Sequence, residues 1–403
     1  MKAWKLPLTT AIAGISLGAH AVEPQGIAMD SGVTLLPAVE LSVEDNDNVY
    51  LQPEATQENS TITRLKPSIA VEADMGQTQL RVGFLAEKGI YSADENDNYT
   101  DTTFSAGAGF ELTSRHQFDV SAELKSAHDA RGASTATAQG SSALAVDPDE
   151  YDESTLEGSF TYGSSSALLN ITAGLKHYEK EYKNNFDIGT RDRDYDKTTA
   201  SLETSVAVSE RTGILIDLST TSIAYDNDSI LAEQREGSLA RALVGFSYDV
   251  SGKVTSSAKV GAAQRSFESD DIDSDTTLTW NVELQWTPRT YSTITVYTAQ
   301  SANETSVGGG YIDSNYSMVS WDHKFSEYFA LTGDISLASD AYYDVNGDTD
   351  REDDTLSYGL TGTYSPSKSL DVYANLKQAE RDSTTAGLDY DQQVITLGLK
   401  LAI

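Results

Sequence analysis

Phe104-Ser105-Ala106-Gly107-Ala108-Gly109-Phe110-Glu111-Leu112-Thr113-Ser114-Arg115-His116-Gln117-Phe118-Asp119-Val120-Ser121-Ala122-Glu123-Leu124-Lys125 is the stretch that decides the fold. On both sides of Ser114-Arg115 the apolar residues recur at every second position: Phe104, Ala106, Ala108, Phe110 and Leu112 before it, Phe118, Val120, Ala122 and Leu124 after it. A period of two places each set on one face of a strand, and a two-residue polar link joins the strands as an antiparallel hairpin. The other face carries Glu111, Glu123 and Lys125 among Ser, Gly and Gln. A hairpin that is apolar on one face and hydrated on the other is the unit of a transmembrane β-barrel.

Outward from this hairpin the same alternation runs along the chain. It begins with Leu35/Val39/Leu41/Val43 and Leu80/Val82/Phe84, and ends with Leu370/Val372/Leu376 and Ile395/Leu397/Leu399/Leu401/Ile403. Short links near Gly76-Gln77, Ser114-Arg115, Ser164-Ser165, Glu210-Arg211, Ser251-Gly252, Pro288-Arg289, Ser326-Glu327 and Pro366-Ser367 alternate with long acidic ones such as Glu44 to Thr61, Ser126 to Ser154, His177 to Lys197 and Ala338 to Thr355. A sandwich or propeller has no reason to alternate its connections in this way; an outer-membrane barrel does. The expected fold is an all-β, antiparallel up-and-down barrel of about eighteen strands, with sixteen as the alternative count. Its short turns would be periplasmic and its long loops extracellular. Phe118, Tyr162, Tyr248, Trp286, Phe325, Phe329 and Tyr364 lie close to the short links and would form the inner aromatic girdle. The last strand ends on Ile403, where such barrels usually finish on an aromatic residue.

Lys2 and Lys5, the apolar run Leu8 to Leu17 and Ala19-His20-Ala21 read as a secretory signal over residues 1–21, leaving 22–403 as the barrel. The apolar run falls short of the roughly 20 residues that span a bilayer as a helix. Cysteine is absent, which excludes disulfides and thiolate metal sites. The formal net charge of -34 argues against nucleic acid as a partner, because polyanions repel one another.

If the apolar residues face lipid, the intervening charges face the lumen. Arg64, Lys66, Glu72, Arg81, Glu111, Glu123, Lys125, Glu203, Arg241, Lys259, Arg265 and Glu283 are among these candidate pore-lining residues. Their signs roughly balance, so the acidic excess belongs mainly to the outward loops. A barrel this wide cannot fill its centre with side chains, so its interior is an aqueous channel or one plugged by folded-in loops. No cofactor is expected beyond divalent cations on those loops. The sharpest metal candidate is Asp344, Asn346, Asp348 and Asp350, oxygen ligands at alternate positions around Gly347. That glycine sits at the fourth place of the run and not the sixth, so the run is not an EF-hand loop. Catalytic candidates are thin. His128 and His177 near the outer rim, with Asp129 and Ser126 close in sequence, offer the residue types of nucleophilic catalysis without a spacing that brings them together, and the chain is not expected to be an enzyme.

Asp45-Asn46-Asp47-Asn48-Val49-Tyr50, then Thr61-Ile62-Thr63-Arg64-Leu65-Lys66-Pro67, with Tyr91, Asn98-Tyr99-Thr100-Asp101 and His128-Asp129-Ala130-Arg131-Gly132 further on, resemble the beta-barrel porin 2 family. These are gammaproteobacterial outer-membrane barrels often encoded with capsule or exopolysaccharide genes. The resemblance implies a place in the outer membrane of a Gram-negative cell and a role in surface polysaccharide export or attachment. Its implied partners are lipopolysaccharide, the outer-membrane assembly machinery, the polymer and the export apparatus. The residues themselves leave two other readings open: a general or cation-preferring diffusion porin, and a structural or adhesive barrel whose acidic loops bind divalent cations.

Overall fold

The computed structural model describes residues 26–29, 32–133, 146–164, 167–227, 235–269, 273–303, 311–343 and 349–403. The expected signal segment and three of the four metal candidates, Asp344, Asn346 and Asp348, lie outside them. The chain folds into strands β1 (Ile27–Ala28), β2 (Val33–Asn46), β3 (Ser60–Asp74), β4 (Thr78–Tyr91), β5 (Tyr99–Thr113) and β6 (His116–Asp129). β7 (Asp149–Tyr162), β8 (Leu169–Tyr182), β9 (Tyr195–Ala207), β10 (Thr212–Tyr225), β11 (Gly237–Asp249), β12 (Val254–Phe267) and β13 (Asp275–Arg289) follow. The last are β14 (Ser292–Asn303), β15 (Tyr311–Lys324), β16 (Phe329–Tyr343), β17 (Thr349–Ser367), β18 (Leu370–Ser383) and β19 (Tyr390–Ala402).

From β2 onward every strand pairs antiparallel with the next, and β19 returns to β2 in a ladder from Val394↔Asn46 to Ala402↔Ala38. Nineteen strands less the short β1 make a closed ring of eighteen. Closure removes every sheet edge from lipid, which hydrocarbon demands because it offers backbone groups no hydrogen bonds. β1 pairs with β2 through Ile27↔Leu35 and Ala28↔Thr34, below the point where β19 ends.

Burial is inverted relative to a soluble protein. Leu278 is 64% exposed and Leu397 62%, whereas the most deeply buried side chains include Asn48, Ser60, Asp149, Thr190, Thr279 and Ser365. Such an apolar outer wall requires lipid. The girdle residues Phe118, Tyr162, Tyr248, Trp286, Phe325, Phe329 and Tyr364 are all exposed on that wall.

The ring's strands run from 12 to 19 residues, beyond the roughly 9–11 that cross a bilayer, and the excess lies at the outer ends. The long loops are accordingly shorter than the sequence pattern predicts: β7 begins at Asp149 and β17 at Thr349, several residues before the apolar alternation starts. Above the lipid both faces of a strand are polar, so the period fades while backbone pairing continues, as in Asp340↔Asp353. Two expected turns also move. Pro288-Arg289 and Pro366-Ser367 lie within β13 and β17, and the turns are Thr290-Tyr291 and Lys368-Ser369. Each proline sits where the ladder shifts register, between Trp286 and Arg289 and between Tyr364 and Ser367. Proline marks an irregularity there because it has no N–H for the ladder.

Candidate functional site

The inner wall is built by the strand phase opposite the lipid face, and neighbouring strands place opposite charges side by side. Arg64 bonds the Glu44 carboxylate through both terminal nitrogens, its Nε donates to the Tyr99 hydroxyl at 3.1 Å, and Glu87 lies 3.5 Å away. Lys66 Nζ is 3.0 Å from Glu87, Arg81 pairs with Glu72, and Lys125 reaches Glu153 at 3.3 Å. Lys259 pairs with Asp217 in a recess that Glu203 and Arg241 also line. Glu123 stands between Ser105 and Thr155, and Glu283 opposite Tyr297. Glu111 is exposed near the periplasmic end of β5, while Arg265 is buried with its guanidinium 5.2 Å from the Phe267 ring and 5.4 Å from that of Tyr311. Sequence reasoning missed the carboxylates Glu44, Glu87 and Glu153. Glu87 shares the alternate phase of Arg81 and was findable; Glu44 and Glu153 lay in stretches read as loop.

At the outer mouth the inner face changes character, and buried Arg–Asp–Tyr nodes form a collar. In the first, Arg131 donates from Nε to Asp97 Oδ1 at 2.7 Å and from Nη2 to Asp97 Oδ2 at 2.8 Å, Asp94 Oδ2 at 2.6 Å and the Tyr50 hydroxyl at 2.7 Å. The Tyr50 hydroxyl in turn donates to Asp97 at 2.6 Å, and the guanidinium lies 4.7 Å from the Tyr50 ring. A planar fork that both chelates a carboxylate and stacks on a ring is a task for Arg and not for Lys. Burial, then the bond to Asp97, pushes the Tyr50 phenol above its ordinary pKa. The backbone N–H of Asn96, then Arg131, holds the Asp94 carboxyl below its own. Tyr50, Asp94, Asp97 and Arg131 come from the loops that follow β2, β4 and β6, so one node ties three loops together. Val49 and Tyr50 pack on Ile62 and Tyr91 of the inner face, which seats the first loop over the lumen. At Gly132 (φ +82°) a Cβ would come within 1.8 Å of the Tyr50 carbonyl oxygen, so the third loop approaches the first backbone to backbone.

A second node joins β6, β7 and β8 to the loop after β8. Asp129 accepts from Lys180 Nζ at 3.3 Å and the Tyr182 hydroxyl at 3.1 Å, and Arg193 reaches Asp149 at 3.2 Å. Lys180 Nζ lies 3.7 Å from the Tyr151 ring, and the Arg193 guanidinium 4.3 Å from that of Tyr182. In a third, Asp353 accepts from Arg351 Nε at 2.8 Å with Arg381 at 3.9 Å, and the two guanidinium groups lie over Tyr342 and Tyr390.

The candidate catalytic residues are dispersed among these contacts. His128 Nδ1 is 2.9 Å from Asp101 and its ring packs, tilted, on Tyr99 at 4.0 Å; Asp129 belongs to the second node; Ser126 accepts from Lys183; His177 is bonded to Thr198. Among the described residues no group of three or more His, Asp and Glu is placed to hold a metal ion, and Asp350 is exposed at the start of β17.

Tyr50, Tyr91, Asn98, Tyr99, Asp101, His128 and Arg131, scattered through the segments that carried the family resemblance, thus meet at one place on the rim. The family model described as "Putative beta-barrel porin 2" matches residues 20–403. The chain belongs to that family. Together with the eighteen-stranded ring, porin-family membership places it in the outer membrane of a Gram-negative bacterium. No curated protein matches the sequence. Among solved structures the FrpB iron transporter of Neisseria meningitidis (F5-1 variant, apoprotein) is similar at 10% identity and a TM-score of 0.51, over 88% of this chain and 62% of that one. OpdQ of Pseudomonas aeruginosa is 10% identical with a TM-score of 0.49, over 93% of this chain and 100% of that one. The porin-family barrel spans about 62% of the FrpB chain, and the likeness is one of fold.

Proposed function

We propose that this porin-family barrel is a channel of surface exopolysaccharide or capsule production, passing polymer across the outer membrane or serving the apparatus that does. The observation that carries the reading is the pairing of charge along the inner wall. Arg64 with Glu44, Lys66 with Glu87, Arg81 with Glu72, Lys125 with Glu153 and Lys259 with Asp217 leave a hydrated surface of local dipoles. Such a wall offers hydroxyl-rich polymers hydrogen bonds that exchange easily with water, and no run of like charge to hold them. The test is deletion of the gene in its host, with polysaccharide quantified separately at the surface and in the periplasm. Loss from the surface with periplasmic retention, restored by a plasmid carrying the barrel, is the expected result. Unchanged polymer in cells that had carried an intact, inserted barrel sinks it.

A cation-preferring diffusion channel is the second reading, favoured by the net charge of -34 and its concentration in the outward loops. An acidic mouth raises local cation concentration and repels anions. Reversal potential across a planar bilayer under a salt gradient decides it; a barrel that conducts without preferring cations removes this version.

A further inference from the structure

We propose that the inner-wall recess at Tyr373 is a saccharide subsite, in which one pyranose ring of a neutral glycan stacks on the face of the Tyr373 ring. The inference deepens the export reading above and rests on it for its biological meaning, although binding can be measured without it. Tyr373 on β18 is the direct ladder partner of Gly398 on β19. A Cβ at Gly398 would fall 2.2 Å from Tyr373 Cζ, so the aromatic ring lies flat against the glycine backbone. The hydroxyl donates to Glu40 Oε1 at 2.6 Å across the seam. The ring is therefore held at its face and at its tip before any ligand arrives, which spares a ligand the entropy cost of ordering it.

Tyr99 shows what distinguishes the site. It lies on Gly89 in the same way, with a Cβ there 2.1 Å from its ring, and its hydroxyl donates to Glu87 at 2.6 Å. The His128 ring packs on Tyr99, tilted at 34° with 4.0 Å between centroids, so that ring is used inside the protein. Tyr373 instead lines a recess of about 570 Å³ towards the periplasmic half of the wall, together with Ser42, Asn375, Thr396 and Lys400. A pyranose matches that mixture: its axial C–H groups form an apolar face that stacks on an aromatic ring, and its equatorial hydroxyls need amide, hydroxyl and charged partners at the edge. The recess contains three carboxylates, Glu40, Glu44 and Asp371, and three cations, Arg64, Lys66 and Lys400. This balance fits a neutral glycan better than a polyuronate.

The test uses the full barrel in detergent micelles, with cellohexaose and hexagalacturonate as probes and saturation-transfer NMR as the readout. Heat-modifiable gel mobility reports that each variant is folded. Cellohexaose is expected to bind in the millimolar range with saturation strongest on its ring C–H protons, and more tightly than hexagalacturonate. Tyr373→Ala is expected to weaken it about tenfold, while Tyr373→Phe keeps the ring and stays within about threefold. If Tyr373→Ala does not assemble, Asn375→Ala, which leaves the platform intact, is expected to weaken binding about threefold. Absence of cellohexaose binding, tighter binding of hexagalacturonate, or undiminished binding by a folded Tyr373→Ala (or, in its place, Asn375→Ala) overturns the proposal. Loss of surface polymer on gene deletion together with no cellohexaose binding would refute the subsite alone. Binding together with unchanged surface polymer would refute the export reading alone.

Discussion

The two rims of the barrel use arginine in opposite ways. At the periplasmic rim Arg115, Arg211 and Arg289 are exposed at short turns, as are Lys253, Lys324 and Lys368. These turns are held by local bonds: Asp249 Oδ1 accepts from the backbone N–H groups of Ser251 and Gly252, and Ser326 Oγ from those of Tyr328 and Phe329. At the outer rim Arg131, Arg193, Arg351 and Arg381 are buried among Asp and Tyr. A turn of two to four residues satisfies itself. Acidic loops and acidic strand ends repel their neighbours, and a shared cation gathers them: Arg131 and Arg193 from loops, Arg351 and Arg381 from the upper ends of β17 and β18. The outer collar is thus held by contacts between elements, some across loops and some across the upper ends of strands, whereas the periplasmic rim is held by contacts within each turn.

The largest expected effect separating the rims comes from Arg131→Ala. It leaves Asp97 buried without its cation, which costs on the order of 3–5 kcal/mol. Hydrogen exchange should rise sharply in the loops 47–59 and 92–98 while the strands stay protected. Exchange rising uniformly round the ring would mean that collar and barrel are one cooperative unit. Next is a pair of glycines with the same backbone sign. Gly132→Ala meets the Tyr50 backbone and should cost about 1–3 kcal/mol, whereas Gly252→Ala at φ +68° meets nothing within 4 Å and should cost only about 1 kcal/mol of left-handed strain. Urea titration of refolding into micelles measures both, and equal losses would erase the distinction between rims.

A smaller effect is expected from acid. Asp94 is held below its ordinary value of 3.8, so its bond to Arg131 contributes in full above that value and is lost as pH falls through the lower folded one. Hydrogen exchange in the 92–98 loop, corrected for its intrinsic pH dependence, should therefore rise only below the ordinary carboxylate range, and an Asp94→Asn barrel should show the raised exchange without that threshold. The smallest change is Arg115→Ala at the periplasmic rim, expected within about 0.5 kcal/mol of the parent in the same urea titration.

How much of this the sequence showed follows the same boundary. Within the lipid band the outer face is apolar and the inner face polar, and Phe104 to Lys125 was enough to read both strands, their turn and the inward phase of Glu123 and Lys125. Above the band the contrast between faces vanishes, so the upper ends of β7 and β17 passed for loop and took Glu153 and Asp353 with them. Arg131 and Tyr50 stood in segments noted for their family resemblance, but they are 81 residues apart in sequence. Nothing in a single chain marks two such residues as partners. Pro288 and Pro366 misled because proline interrupts a ladder at a bulge as readily as it opens a turn.

The smallest strand of the fold has a consequence for how the ring is sealed. β19 stops at Ala402, opposite Ala38, while β2 continues down to Val33, so the seam leaves a short length of β2 with no neighbour from the far end of the chain. An open stretch of this kind is a template on which a second molecule can add a strand. Ile27 and Ala28 already occupy it, and Ile403 closes the corner by donating its N–H to the Pro37 carbonyl at 3.2 Å. Ile27, Ala28 and Ile403 thus cork the same joint, covering backbone groups of β2 on which a neighbouring barrel could otherwise add a strand.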